Sequence, residues 1–430
     1  MSSSFQPAAV DVPETPAPQS GFEGDVVDNS VGGVIRGYVN KVRGGDLGAL
    51  PAVAGIIALT ILFSILRPDT FPTPLNITNL FVQAVPISLL AMGLVFILLL
   101  GEIDLSAGVV SGVCAAVMAA LLARHGVSWP VAVLAAAVVG AVIGLVTGLL
   151  VSVIRIPSFV VTLALFLGYQ GVTLKIIGQG GVVPVRDEKI VGLTNNSMSV
   201  MWGWILAVVV VVVFAALQLN RWRVQRSRGL ASQPLIVVGG RIVLIAVIAL
   251  AVTAVFNTNR ALNPNLITLA GVPYAVPLVV VLLLLLTFLL GKTSFGRHVY
   301  AVGGNAEAAR RAGISVTRIR VLVFVLSSTL AAISGIAAAS RLSSVDPGAG
   351  GGNTLLYAVG AAVIGGTSLF GGRGRVRDAV LGGLVIAIIA NGLGLLGVAA
   401  YLNFIITGAV LLLAASVDAL ARRRSAATGR

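Results

Sequence analysis

From about residue 49 onward the chain is a succession of long apolar runs separated by short polar breaks. Crossing roughly 30 Å of hydrocarbon takes about 20 mainly apolar residues at about 1.5 Å each. By that ruler twelve segments qualify as spans: 49–66, 79–100, 105–123, 129–154, 157–177, 200–219, 235–256, 272–291, 319–340, 354–370, 379–396 and 402–420. Several are rich in Val and Leu, as strands are. An open strand would leave its backbone groups unpaired in lipid, so each segment is expected to be a helix. The expected fold class is all-α, a polytopic transmembrane bundle of about 12 spans.

Composition and charge add an orientation. Hydrophobic residues make up 57% of the 430 positions and charged residues 10%, the balance of an integral membrane protein embedded in a lipid bilayer. Lys and Arg accumulate in cytoplasmic loops. With both termini cytoplasmic, 21 of the 29 basic residues fall in inner segments and 7 in outer loops, while Arg241 lies within an apolar run. The even span count agrees with that bias. The net charge of +14 therefore reads as a topological signal, and no nucleic-acid partner is expected.

Residues 1–48 differ in composition from the rest of the chain. The first 35 contain five acids, no Lys or Arg, and many Pro and Ser, too little apolar surface to fold alone, so a disordered cytoplasmic tail is expected. The tail lacks the basic-then-apolar order of a cleaved signal peptide, leaving the first span to direct insertion. Cys114, the single cysteine, excludes an intrachain disulfide.

Catalytic chemistry finds no parts. The two histidines, His125 and His298, fall in loops on opposite sides of the membrane, which disfavours a two-histidine metal site or a His-centred triad. No catalytic or metal-ligating residue is assigned. Gly291-Lys292-Thr293 has the ending of a phosphate-binding loop, but Leu286 stands where that motif requires its first Gly, and an apolar helix precedes it instead of a strand. The cluster Gly348 to Gly352 reads as a flexible outer loop. The chain is not expected to hydrolyse ATP or to carry a cofactor of its own.

Acids in apolar surroundings are the remaining candidates. Glu102 and Asp104 lie in Gly101-Glu102-Ile103-Asp104-Leu105-Ser106-Ala107-Gly108, a connection too short to reach far into water. An ionisable residue at membrane depth is a functional candidate. Equally, Asp104 could cap the next helix and Glu102 lie in a solvated turn. A second break, Gly365-Gly366-Thr367-Ser368-Leu369-Phe370-Gly371-Gly372, matches the first at three of eight positions, as expected of two halves with corresponding broken helices along a pathway. Gly365, Gly366, Thr367 and Ser368 are thus helix-break candidates beside Glu102 and Asp104. Gly140, Gly144 and Gly148, each four apart, should give one helix a smooth face for close packing.

Four separated motifs carry a resemblance. Phe295-Gly296-Arg297 precedes Ala301-Val302-Gly303-Gly304-Asn305-Ala306-Glu307-Ala308-Ala309-Arg310-Arg311-Ala312-Gly313-Ile314; Gly365 to Gly374 and Asn391-Gly392-Leu393 follow, and Gly-Glu-Ile-Asp-Leu-Ser occupies 101–106. In this order they closely resemble the inner-membrane permeases of monosaccharide ABC importers, the ribose, galactose, arabinose and xylose permeases among them. The likeness runs over about residues 50–424. The material at 200–256, adding two spans to a ten-helix core, looks most like the xylose-type permeases. Arg375 departs from the group, which more often has a small polar residue there.

The resemblance implies a permease domain over 49–424 with a cytoplasmic coupling loop at 292–318, and a non-catalytic role. It implies a homodimer forming the pore, ATP-binding cassette subunits on the inner face that bind the ATP, and an extracytoplasmic sugar-binding protein, in the cytoplasmic membrane. Glu307-Ala308-Ala309 with Gly313 matches the coupling-helix pattern of such importers. Asn305 suits the cap of that helix, its small apolar residues suit a groove, and Arg310 and Arg311 suit acids on the cassette subunit. The expected substrate is a monosaccharide, a pentose such as xylose foremost. The alternatives are a permease for nucleosides or branched-chain amino acids, and a proton-coupled carrier working through Glu102 and Asp104.

Overall fold

The apolar runs fold as helices because a helix satisfies its own backbone groups. In the computed structural model, residues 48–229, 233–261, 263 and 267–427 are described, with 32–33, 36 and 38–39. The expected tail, 1–48, thus falls almost wholly outside the described residues. The elements, in order, are α1 (Leu50–Leu66), α2 (Pro74–Leu99), α3 (Ala107–His125), α4 (Trp129–Ser152), α5 (Ser158–Ile177), β1 (Val183–Pro184), α6 (Glu188–Asn195), α7 (Val200–Ser227), α8 (Leu235–Asn257), α9 (Ala275–Lys292), α10 (Ser294–Gly304), α11 (Ala306–Arg311), α12 (Val316–Leu342), β2 (Ser344–Val345), α13 (Thr354–Ile364), α14 (Val376–Leu395) and α15 (Ala400–Ala427). Among the described residues, nine helices are long and apolar enough to cross a membrane. Three shorter apolar helices, α1, α13 and the part of α15 from Ala400 to Val410, stand at the other expected spans.

The bundle is organised around α12, which packs on α2, α3 and α4. The α4 contact uses the predicted glycine face: Gly140, Gly144 and Gly148 lie directly on the α12 backbone at Ser328, Phe324 and Val321. Close backbone approach of this kind is how membrane helices gain packing without a hydrophobic drive between them. On the other side α14 packs on α2 and α13. The extra helices α7 and α8 contact mainly each other. Antiparallel β1 and β2 pair Val183 with Val345 and Pro184 with Ser344.

Two non-helical segments enter the bundle. Ser334 on α12 donates to the Pro86 carbonyl, near the middle of the 26-residue α2, at 2.7 Å. Beside it Gly335 presses on the Ser111 backbone, so Ser111 lies at mid-depth although it is close to the start of α3. The non-helical stretch from Gly101 to Ser106 therefore runs back from the C-terminal end of α2 toward its middle.

From the opposite side, the loop after β2 descends to the same level. Gly350 meets Gly108, and the Ala349 carbonyl meets Gly112. There α13 begins, and its 11 residues span about 16 Å, half the hydrocarbon thickness. Two expectations change accordingly. Within the expected flexible loop Gly348 to Gly352, Ala349 and Gly350 pack on α3 while Gly348 and Gly352 are exposed, and 354–370 is a half-length helix followed by a turn. Glycines on both facing surfaces allow this, since neither places a side chain between the backbones. Irregular backbone at membrane depth is tolerated where protein or water satisfies its polar groups.

Candidate functional site

The short helix α11 is built by its ends. The Asn305 side chain accepts from the Ala308 amide at 2.9 Å, capping the N-terminus. At the other end Gly313 adopts φ +82°, its amide donates to Arg310 O and the Ile314 amide donates to Ala309 O, both at 3.0 Å. This is the Schellman arrangement, which needs a left-handed residue where Gly313 stands. Between the caps, the Glu307 carboxylate accepts from Arg310 Nη2 at 2.9 Å and Arg311 Nε at 3.2 Å. Hydrogen bonds from Arg310 first, then Arg311, hold the Glu307 carboxyl below its ordinary value. Glu307, Ala308, Arg310, Arg311 and Ala312 are exposed, whereas Ala309 is buried against its own chain. Of its alanines, only Ala308 and Ala312 are thus open to a partner, beside the charged Glu307, Arg310 and Arg311.

Behind α11, α10 connects this helix to the bundle at the C-terminal end of α2. Gly303 lies directly on the Leu99 carbonyl at the end of α2, and the same carbonyl accepts from the Gly372 amide at 2.9 Å. Tyr300 donates from its hydroxyl to Gly374 O at 2.7 Å. Burial pushes the Tyr300 phenol above its ordinary value, which keeps that donor protonated. Gly371 closes against Gly303 and Gly101. Three segments thus meet at one place: the end of α2 with Gly101, the end of α10, and the 365–374 turn.

The helix-break residues surround this junction. Gly365 presses on the Asp378 backbone, and Gly366 approaches the Gly48 carbonyl. Thr367 is fully buried, and its hydroxyl lies 3.4 Å from the Asp378 carboxylate, which also accepts from the Arg375 amide at 2.7 Å. The Ser368 amide donates to Arg373 O at 2.9 Å, and its hydroxyl accepts from the Phe370 amide at 3.2 Å. Glu102 pairs with Arg320 of α12, with Arg320 Nε 3.1 Å from Glu102 Oε1. Asp104, 3% exposed, turns into the bundle and accepts at one oxygen from the Ser106 amide and hydroxyl, at 2.9 and 2.7 Å. The two acids do different things: Asp104 anchors the entry to α3, and Glu102 ties that entry to α12.

Sequence reasoning missed Gly303, Tyr300 and Arg320 as members of this junction. Arg320 entered there as one inner charge among many; a signal was available in Glu102, an acid near apolar segments that needs a basic partner. Elsewhere, the Asn391-Gly392 motif acquires a reason. Asn76 and Asn391 exchange side-chain amide hydrogen bonds at 3.0 and 2.9 Å, joining α2 to α14, and Gly392 makes room for the Phe63 ring.

With that arrangement in view, the comparisons decide the family. Residues 76–415 match the family model described as branched-chain amino acid transport system / permease component. The chain belongs to this permease family. Among its relatives, the xylose transport system permease protein of Escherichia coli (strain K12) is 34% identical over 373 residues, 87% of this chain and 92% of that protein. Its counterpart in Haemophilus influenzae is 33% identical over 378 residues, 88% of this chain and 98% of the relative. The ribose import permease protein of Bacillus subtilis is 32% identical over 372 residues, 86% and 92% of the two chains. No solved structure matches the chain. This permease is a multi-pass protein of the cytoplasmic membrane, and the resemblance read from its motifs holds over nearly its whole length.

Proposed function

We propose that the chain is the membrane subunit of an ATP-driven importer that moves a monosaccharide, a pentose such as xylose foremost, into the cytoplasm. The observation that carries this reading is the likeness to xylose and ribose permeases over 86–88% of the chain. In this reading the chain crosses the membrane twelve times with both ends inside, works as a homodimer, and receives sugar from an extracytoplasmic binding protein. A cassette ATPase binds the ATP and docks on the exposed face of α11, and the permease performs no chemistry. The tail before residue 49 is dispensable for transport.

The geometry supports a route for the coupling. A push on α11 reaches α10, whose Gly303 sits on the last carbonyl region of α2. It also reaches α12, which follows Gly313 and Ile314 directly and holds Glu102 through Arg320. Glu102, Asp104 and Gly365 to Ser368 then act as the inner closure of the pathway, moved by the ATPase.

Reconstitution of the permease with its cassette subunit and binding protein in sealed vesicles tests this. ATP-dependent xylose uptake that survives an uncoupler is the expected result. Uptake that collapses with the uncoupler while ATP is held constant favours a proton-coupled carrier. The family description motivates one competing substrate: ATP-driven uptake of leucine, with none of xylose or ribose, would replace the sugar reading.

A further inference from the structure

The hairpin of α7 and α8 is held to the rest of the chain mainly at one end. Gly203, near the start of α7, lies against the side chains of Asn257 and Val272. The Phe256 ring, near the end of α8, stands edge-on to Phe81 of α2 with 5.2 Å between ring centroids. Toward the other end, where the two helices are joined, burial disappears: between residues 208 and 252 only Val238 is buried among the described residues. The joined end therefore stands clear of the chain's own bundle.

That end is strongly cationic. From Val200 to Leu219 α7 carries no charge, and these residues rise about 30 Å, the thickness of the hydrocarbon. Trp202 and Trp222 mark the two limits, as tryptophans do at membrane surfaces. At the second limit and beyond it stand Arg221, Arg223, Arg226 and Arg228, all exposed. Trp222 Nε1 donates to Gln233 O at 3.1 Å and the Arg226 guanidinium lies 5.3 Å from the Trp222 ring centre, which closes the turn into α8 at this level. A fifth cation, Arg241, is exposed within the apolar part of α8, about 9 Å from the helix start at Leu235. Helix side chains lean toward the N-terminus, so the aliphatic stem of Arg241 carries its guanidinium back toward the level of Trp222. Residues 189–306 contain no Asp or Glu, and none of the five arginines forms an ion pair among the described residues. Arginines in the loop alone would serve to orient the spans. Arg241 is different, because it is reached from within the leaflet: a lipid phosphate can meet it there, whereas the acidic face of a soluble protein cannot.

We propose that the joined end of the α7–α8 hairpin is a binding site for anionic phospholipid, with Arg241 meeting the headgroup phosphate from the hydrocarbon side and Arg221 and Arg223 attracting its net negative charge from the water side. Basic clusters beside a membrane span bind acidic lipid in this way. The bound lipid fixes the end of the hairpin that protein contacts leave free, opposite the anchor at Phe256. In the twelve-crossing reading this end is cytoplasmic and the lipid belongs to the inner leaflet. The site itself depends on neither that orientation nor the sugar.

Trp222 lies in the site and serves as its probe. Full-length permease with Trp129, Trp202 and Trp204 replaced by Phe is reconstituted into vesicles that contain brominated phosphatidylglycerol or, at the same fraction, brominated phosphatidylcholine, since bromine quenches tryptophan on contact. The relative association constant at Trp222 should favour phosphatidylglycerol by about fivefold or more, the order expected of even one basic residue at an anionic surface, and the preference should shrink in high salt. A protein that keeps only Trp202, at the other end of α7, should respond equally to both lipids. Equal quenching of Trp222 by the two lipids overturns the proposal and needs no altered arginine. As a second measure, Arg221→Gln with Arg223→Gln and Arg241→Gln should bring the ratio close to one, while Arg226 and Arg228 remain to orient the hairpin. An unchanged ratio in that variant also overturns the site. Affinity for the cassette subunit, measured on the same vesicles, should be unaltered. Its loss with the lipid preference intact would give the cluster to the ATPase instead. Because no sugar enters these measurements, their failure leaves the sugar reading standing, and failure of xylose uptake leaves the lipid site standing.

Discussion

Arg320 Nε stands 3.1 Å from Glu102 Oε1, joining the start of α12 to the turn that leads into α3. The distance suits charge pairing, although the Nε–H is not aligned for a hydrogen bond. The pair is the most direct electrostatic link between the helix that follows α11 and the segment that climbs back into the membrane. Its side chains are 30% and 13% exposed.

Arg320→Ala should therefore strand the Glu102 carboxylate. Loss of one partner of a fully buried pair costs roughly 3–5 kcal/mol, and partial exposure reduces this to about 1–3 kcal/mol. The expected phenotype is a protein that inserts but has a lower thermal midpoint and little uptake. Exchanging the charges, Glu102→Arg with Arg320→Glu, should recover part of both; a double variant no better than the single one would show that the pairing itself is not what matters.

Gly303→Ala tests the contact between α10 and α2. A methyl group there meets the Leu99 carbonyl, so α10 must move away or the junction opens. Overpacking at such a site costs about 1–3 kcal/mol. Hydrolysis stimulated by the binding protein should fall with uptake, because the route from α11 to the bundle is displaced. Gly304→Ala, where a Cβ meets nothing within 4 Å, is the matched control and should behave as wild type.

At Gly313 the space is open, and backbone conformation decides. A Cβ meets nothing within 4 Å, but φ is +82°. Gly313→Ala should destabilise the end of α11 by roughly 1–2 kcal/mol. The measurement is affinity for the cassette subunit. Gly313→Asn, which tolerates the left-handed region better, should retain more affinity than Ala; the reverse order would mean that side-chain bulk, and not the turn, is limiting.

The Glu307 pairing predicts a pH response. Because its carboxyl is held below the ordinary value, the contribution of the pair to α11 is complete above the unfolded-state value, about 4.3. It is lost as pH falls through the depressed folded-state value. Between pH 6 and 8, cassette binding should show no transition due to Glu307. Glu307→Gln should weaken binding across that whole window. A wild-type transition near neutral pH that disappears in Glu307→Gln would contradict this.

How far the chain could be read from residues alone depends on the range of the cause. The helix type of the apolar runs, the nine among the described residues that are long enough to span, and the caps of α11 were legible, because a 20-residue apolar run, an Asn before a helix and a Gly after it act within one or two turns. The ridge of Gly140, Gly144 and Gly148 was legible for the same reason, although its partner on α12 was not. Four ordered motifs were enough to name the family, since each preserves a local geometry. Three things required the fold. Glu102 found Arg320, more than two hundred residues away in the chain, and no local signal pairs them. Gly303, Leu99 and Gly372 met because three chain segments end at one level. The Gly348 to Gly352 loop looked solvent-exposed, yet facing glycines on α3 gave its backbone room to enter the bundle. The sequence by itself determined which segments are membrane-embedded helices and how α11 begins and ends, because those depend on hydrophobic length and local hydrogen bonding. The tertiary structure decided which breaks touch and which acid is paired, because each depends on distant segments competing for the same space.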